Sequence, residues 1–411
     1  MVKMVNLWTK YKETSLLIKM TAGFILGLAA GALFGPSVSF LEPLGTVLIK
    51  LLNLIAVPVV FLTVVLAVNQ MNPLQLGRMG GKLVLYYIST TAAAVFIGLG
   101  LALLFNPGES LTLPDASVDK PESPSFAGVL LNMIPDNLFT AFSSGNLMAI
   151  LFLAVIIGFS ISQMRFSGDE AMNEYGDLLQ RVFQAANEMF FLVLKGILLY
   201  APVGILAITA TSFAGQGWDT FNSLLRFTGV FYLGIVLLWI LVYSLFLKSS
   251  KISLKQFYSK TKDAYTTAFF TSSSIASLPV AIEAAKRAGI SERTANFSLP
   301  LGAVFNSDGG ALRMGVSIVF AANVTGIQLA LADLFIIVLT GTLLSVGTAG
   351  IPAAGLVTLS AVLSLFNLPL EIVALVAGVD VIIGMAGTAS NVMGDIVGAA
   401  VVDESEKKAA A

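Results

Sequence analysis

AVFNSDGGALRMG, residues 303–315, sets an amide, a carboxylate, two adjacent glycines and a guanidinium inside an apolar run that extends from about Ser298 to Asn323. On a soluble helix Asp308 and Arg313 would face water and raise no question. In hydrocarbon each is expensive and marks function. Composition decides between the two. Of 411 residues, 56% are hydrophobic and 11% charged, against roughly 45–50% and roughly 25% in soluble chains. The stretch belongs to a membrane protein.

The same composition narrows the chemistry. The formal net charge is −1, so no nucleic-acid partner is indicated. Without cysteine or histidine there is no disulfide, thiolate, zinc site or Ser-His-Asp triad, and an enzyme is not expected. The start of the chain, MVKMVNLWTKYKETSLLIK, is basic and amphipathic and lacks a cleavable signal pattern. It reads as a helix lying on the cytoplasmic face.

Working outward from the opening stretch, runs long enough to cross a bilayer, roughly 20 residues, occur at about 15–35, 43–69, 83–105, 126–163, 178–208 and 224–248. Basic residues cluster at Lys3, Lys10, Lys12 and Lys19, at Arg78 and Lys82, at Arg165, and from Lys248 to Lys262. With the N-terminus inside, all of these clusters fall on the cytoplasmic side. The acidic, proline-rich loop NPGESLTLPDASVDKPESPS, 106–125, falls outside. The chain is expected in the cell membrane, multi-pass, with both termini cytoplasmic.

Beyond Lys262 small polar residues interrupt the apolar pattern. AFFTSSSIASLPV, 268–280, and SVGTAGIPAAG, 345–355, each lie between apolar arms too short to span alone. Each is followed by a helix of unusual polarity: the opening stretch in the first case and GVDVIIGMAGTASNVMGDIVGA, 378–399, in the second. Hairpin plus polar helix, twice, is an internal repeat. Broken, glycine-interrupted segments of this kind mark a transport site near the bilayer midplane. Close helix packing explains one serine run or glycine pair, but not a carboxylate in both polar helices.

Asp308 and Asp395 need counter-charge in hydrocarbon, and Arg313 is the only nearby cation in sequence. A monovalent cation held by carboxylate, amide, hydroxyl and freed backbone oxygens would supply the rest. Ser307-Asp308-Gly309-Gly310 is suited to unwinding, because glycine disfavours a helix interior by about 1 kcal/mol. Asn391 and Asp395, four residues apart, share a helix face and can approach Asn306. Hairpin tips expose backbone amides that attract anions, and Pro279 and Pro352 are expected to stop the hairpin helices there. Lys50, Glu188 and Lys195 read as snorkelling or contact residues. Spacing alone leaves Tyr86, Tyr87, Ser89, Thr90 and Thr91 as helix-packing glue.

Taken together, the TSSS hairpin ending in LP, the LPLGAVFNSDGGAL segment, SVGTAGIPAAG, the final TASNVMGD, and YYISTT and FNPG in and after the third span resemble the dicarboxylate/amino acid:cation symporter family. Its members include sodium-coupled glutamate and aspartate transporters. The resemblance implies an all-α membrane fold of eight transmembrane helices plus two re-entrant helical hairpins with inverted repeats, assembled as a homotrimer and working as an elevator. It implies a scaffold from residues 1–82 and 106–208, and a mobile transport domain from 83–105 and 209–411.

Carried over by position, the resemblance implies three sodium ions. One site would use backbone at Gly302, Asn306 and Asn391 with the Asp395 carboxylate. A second would use Tyr87, Thr90, Thr91, Asn306 and Asp308, and a third backbone carbonyls at Val304, Ser345, Val346 and Thr348. The solute would lie among Ser272, Ser273, Ser274, Ser307, Gly310, Gly350, Ile351, Asp380, Thr388 and Asn391. Sodium rather than proton coupling is expected, since every side chain those sites need is present.

The pocket departs from the family pattern. Acidic amino acid members carry Asp-x-x-Arg-Thr-x-x-Asn in the last helix, the Asp for the substrate ammonium and the Arg for its side-chain carboxylate. Here those positions are Gly384, Gly387, Thr388 and Asn391. Thr271 stands where an arginine can precede the hairpin serines, and Arg313 where an aromatic is common. Arg313 either reads an anionic or polar end of the solute in the space left at Gly384 and Gly387, or pairs structurally with Asp380. A small organic acid is the expected substrate, with a neutral amino acid as the alternative and an anion-conducting channel as the rival from another class.

Overall fold

Long apolar runs punctuated by serine, glycine and proline fold as helices, and no strand occurs among the described residues. The computed structural model describes residues 9–11, 14, 16–69, 77–111, 131, 134–145, 147–345, 354–366 and 368–410. Outside them lie most of the expected N-terminal amphipathic helix, most of the 106–125 loop, and Val346, Thr348, Gly350, Ile351 and Pro352.

The first three spans are α1 (Leu16–Phe34), α2 (Glu42–Asn69) and α3 (Gly77–Phe105), with a 3-10 turn, Gly35–Leu41, joining α1 to α2. The fourth expected span, 126–163, is not one helix. Its described part is a short α4 (Leu138–Ser143) and then α5 (Leu147–Arg165). Asn137 caps α4 by accepting from the amides of Phe139 and Thr140, and Gly145 at φ +66° turns the chain before α5.

The fifth span is longer than its apolar core predicts: α6 (Glu170–Gln216) has 47 residues, about 70 Å of helix. Asp169 caps its start by accepting from the Ala171 amide, and Gly217 ends it at φ +56°. Hydropathy finds the part that meets lipid, while caps set where the helix ends. The sixth span is α7 (Trp218–Leu237), a π-helical turn (Leu238–Tyr243) and α8 (Ser244–Ser249).

The first hairpin is α9 (Leu254–Thr271) and α10 (Ser274–Arg287), packed on each other. Proline does not stop these helices, because Pro279 lies inside α10. The stop is Ser272, left-handed at φ +48°, followed by Ser273, which caps α10 by accepting from the Ala276 amide. At the far end of α10 a hydrogen bond from Lys286 Nζ to Glu292 Oε1, 2.8 Å, holds the Glu292 carboxyl below the usual carboxylate range. The opening stretch forms α11 (Glu292–Phe305) and α12 (Asp308–Thr325). The remaining helices are α13 (Leu331–Ser345), α14 (Ala354–Leu365), α15 (Glu371–Ala377) and α16 (Asp380–Ala410).

Packing divides the helices by contact. α1 and α2 pack on α6, and α5 packs on both α2 and α6. A side chain at Gly23, Gly27 or Gly31 of α1 would run into Pro202, Leu206 or Ala210 of α6, so a four-residue glycine stripe lets the two backbones touch. A second body gathers α3, α7 and α9 to α13 around α16. α14 touches α2 and α12, and α15 touches α2 and α6, where the two bodies meet. Among the described residues five helical stretches are long and apolar enough to cross a membrane by length and composition, Ile18–Leu66 running through α1 and α2. Large side chains such as Leu33, Phe40, Leu54, Phe96 and Leu245 are mostly exposed, as a lipid-facing surface requires. Lys50, Glu188 and Lys195 also lie exposed on α2 and α6.

Candidate cation and solute site

The break in the opening stretch falls at Asn306 and Ser307, not at the glycine pair. Asn306 is extended (φ −101°, ψ 121°), Ser307 leaves helical geometry (φ −138°, ψ 57°), and α12 restarts at Asp308. The glycines serve contact instead. A Cβ at Gly309 would overlap the backbone of Gly387 on α16, and one at Gly310 would meet Ser307 Oγ. Glycine allows unwinding, but here backbone approach between two helices claims Gly309 first.

Around the break, oxygen atoms converge from four helices. Asp308 is fully buried. Its Oδ1 accepts from Thr91 Oγ1 (2.8 Å) and Thr90 Oγ1 (3.2 Å), and its Oδ2 from the Tyr243 hydroxyl (2.8 Å). Asn306 Nδ2 donates to Asp395 Oδ1 (2.9 Å) and to the Asn391 carbonyl (3.2 Å). Asn391 Oδ1 accepts from the Gly309 amide (2.8 Å), and Ser345 Oγ donates to the Ser307 carbonyl (2.8 Å). Two further glycines make the convergence possible. A Cβ at Gly302 would lie 2.5 Å from both Asp395 Oδ1 and the Tyr87 hydroxyl, and one at Gly394 would crowd Tyr243, Asn306 and Asp308.

The predicted first ion set, Gly302, Asn306, Asn391 and Asp395, is thus brought together. Of the second, Thr90 and Thr91 meet Asp308, while the Tyr87 hydroxyl lies beside Asp395 and donates to the Ser298 carbonyl at 3.4 Å. Of the third, Ser345 reaches the break, Val304 sits in the last turn of α11, and Val346 and Thr348 lie outside the described residues.

Whether a cation fits is decided by what these atoms lack. Among the described residues no ion pair reaches Asp308 or Asp395. Arg313, the cation nearest in sequence, pairs with Asp380 instead. Five residues of helix turn through about 500°, which places Arg313 well round α12 from Asp308. Buried Asn306 Oδ1, moreover, has no hydrogen-bond partner. Two unpaired carboxylates, an orphan amide oxygen and hydroxyls within reach form an all-oxygen donor set suited to a hard monovalent cation.

Around the predicted solute positions, Ser272 is exposed at the hairpin tip, Ser273 is half-buried and Ser274 buried. Asn391 Nδ2 approaches Ser307 Oγ at 3.4 Å. Gly384 and Thr388 are half-buried on α16, and a side chain at Gly384 would meet nothing within 4 Å. Arg313 does not fill that space; its guanidinium lies against Asp380 and Gly355. Gly350 and Ile351 lie outside the described residues.

Sequence reading missed Tyr243, Trp239 and Ser390. Tyr243 donates to Asp308 Oδ2 and lies 3.1 Å from the Ser390 carbonyl, and Trp239 Nε1 donates to Ser390 Oγ (3.0 Å). Both aromatics come from the π-turn, a local widening common at functional sites. In LWILVYSLF nothing separates that tyrosine from a packing residue. Tyr243→Phe is expected to weaken sodium binding about tenfold, as loss of one hydrogen bond to a charged group implies. Sodium-dependent thermal shifts of the purified protein measure it, and an unaltered sodium midpoint would count against it.

Comparison with known proteins finds relatives along nearly the whole chain. The pattern of the Sodium:dicarboxylate symporter family matches residues 16–405. A C4-dicarboxylate transport protein of Rhodospirillum rubrum is 31% identical over 402 residues, covering 95% of this chain and 88% of that protein. A proton/sodium-glutamate symport protein of Bacillus subtilis is 29% identical over 398 residues, covering 93% and 91%. A proton/glutamate-aspartate symporter of Escherichia coli is 30% identical over 384 residues, covering 90% and 86%.

Proposed function

The chain belongs to the sodium:dicarboxylate symporter family, and from that premise we propose that it is a sodium-coupled symporter of a small organic acid. Cation-coupled membrane transport, not enzymatic chemistry, is the work of this family. The observation that carries the sodium reading is the orphan Asn306 Oδ1 together with two buried carboxylates, Asp308 and Asp395, that no cation among the described residues pairs with. Sodium ions are cargo here. Bound among Asn306, Asp308, Asn391 and Asp395 they neutralise both acids and order the α11–α12 break, so the solute binds only to a loaded site.

An organic acid is favoured over glutamate or aspartate because Gly384 and Gly387 replace the two charged readers of an acidic amino acid. The relatives named as C4-dicarboxylate and glutamate transporters support an anionic solute. The division into a body of α1, α2, α5 and α6 and a second around α16 supports an elevator motion, in which the second carries the site past the first. We assign eight transmembrane helices, two re-entrant hairpins, a homotrimer and cytoplasmic termini on the same footing.

Reconstitution in liposomes tests the proposal. A sodium gradient is expected to drive saturable accumulation of an organic acid; accumulation driven by protons alone, or a non-saturable flux typical of a channel, would defeat it. Ligand-induced thermal shifts across dicarboxylates, monocarboxylates, sulfonates and neutral amino acids, with and without sodium, name the substrate class. If three sodium ions enter with a monoanion, net charge +2 crosses, worth roughly 4–5 kcal/mol per 100 mV. Uptake is therefore expected to rise with inside-negative potential in valinomycin-clamped vesicles, and voltage-independent uptake would contradict that stoichiometry.

A further inference from the structure

Arg313 is 5% exposed and its Nη1 pairs with Asp380 Oδ1, yet its Nε and Nη2 have no hydrogen-bond partner. Those two nitrogens share one edge of the guanidinium. Their N–H bonds run parallel and match the two oxygens of a carboxylate. Asp380 takes a single nitrogen on the other side, so the parallel pair of donors is left free. Buried donors left in this arrangement point to a ligand.

Glycines shape the surroundings of the guanidinium. Gly355 is the second residue of the twelve-residue α14, and a side chain there would overlap Arg313 Nη1. Glycine at this position lets the guanidinium lie close against the backbone of α14. Asp380 balances the guanidinium charge, so selection falls to the geometry of the two free donors. One turn along α16 from Asp380 is Gly384, on the same face and with open space beside it.

We propose that the free Nε–Nη2 edge of Arg313, held between Gly355 of α14 and Asp380 of α16 with the clearing at Gly384 one turn on, is a carboxylate-binding subsite of the solute pocket. Asp380 is its positioning residue. The solute is thus an organic anion with a planar carboxylate end, read from α12 rather than from α16. This rests on the transport reading above and names the group that selects its substrate.

The test uses the purified full-length protein in saturating sodium, with succinate, butyrate, butanesulfonate and serine as probes of binding by calorimetry. At least one of the two carboxylates is expected to bind more tightly than the sulfonate and serine. Arg313→Lys keeps the charge opposite Asp380 but removes the two-pronged edge. It is expected to weaken carboxylate binding about 30-fold while leaving the sodium-induced thermal shift unchanged. Carboxylate affinity within twofold of the parent protein would make the pair purely structural and overturn the inference, as would binding of neither carboxylate to the parent protein. If Arg313→Lys does not fold, Arg313→Met combined with Asp380→Leu removes both charges together. That protein is expected to bind sodium and not carboxylate, and retained carboxylate binding again overturns the subsite. Loss of the sodium shift in the parent protein would instead strike at the transport reading.

Discussion

Asp395→Asn is expected to abolish sodium-driven uptake and, in the same protein, to raise the melting temperature measured without sodium. Asp395 is 3% exposed, and its one described hydrogen bond comes from Asn306 Nδ2 at 2.9 Å. An ionised carboxylate in that position is costly until a cation joins it. An amide of the same shape still accepts from Asn306 and carries no charge, so the sodium-free protein gains stability. The ion site loses its attraction, and a loss of about 3 kcal/mol corresponds to roughly 100-fold weaker sodium binding. Radioactive sodium binding, set beside melting curves at zero and saturating sodium, reads both signs. Lower sodium-free stability with unchanged sodium affinity would show that Asp395 is held by protein groups alone.

Gly309→Ala and Gly387→Ala are expected to differ sharply although the two glycines touch. A Cβ built at Gly309 overlaps the backbone of Gly387, which no side-chain rotation can relieve, whereas one built at Gly387 finds its nearest neighbours at 3.7 Å. Gly309→Ala must therefore push α12 away from α16, at a cost of about 3 kcal/mol. It also pulls the Gly309 amide off Asn391 Oδ1, now at 2.8 Å, so sodium binding falls with stability. Gly387→Ala should alter stability by no more than about 0.5 kcal/mol. Melting temperatures of the two variants decide the matter, and equal tolerance would mean that the helices part easily at this point.

Much of the site was legible because hydrocarbon makes polar residues conspicuous. Asp308, Asn306, Asn391 and Asp395 stand out in apolar runs; in the fold Asp395 meets Asn306 by its carboxylate, whereas Asn391 meets it by its backbone carbonyl and turns its side chain to the Gly309 amide. Thr90 and Thr91 were ambiguous by spacing and acquired a role only through the family resemblance; in the fold they bond Asp308. Tyr243 gave no signal, since a tyrosine in an apolar helix is ordinary and the π-turn that aims it is not written in hydropathy. The sequence points to unwinding within Ser307–Gly310, and the structure breaks the helix at Asn306 and Ser307, the leading edge of that stretch. Gly309 and Gly310 looked like unwinding residues, but Gly309 is glycine because Gly387 lies against it.

The sequence by itself determined that this chain is helical, lives in lipid and holds paired polar units near its C-terminal end, because transfer of side chains between water and hydrocarbon is a local property that adds along the chain. Tertiary structure alone decided that Arg313 faces Asp380 rather than Asp308, that Tyr243 completes the shell of Asp308, and that helices meet through glycine at Gly302, Gly309 and Gly394. Those facts depend on which backbones come within contact of one another. Contact between helices is fixed by the packing of the whole set, which no single stretch of residues contains.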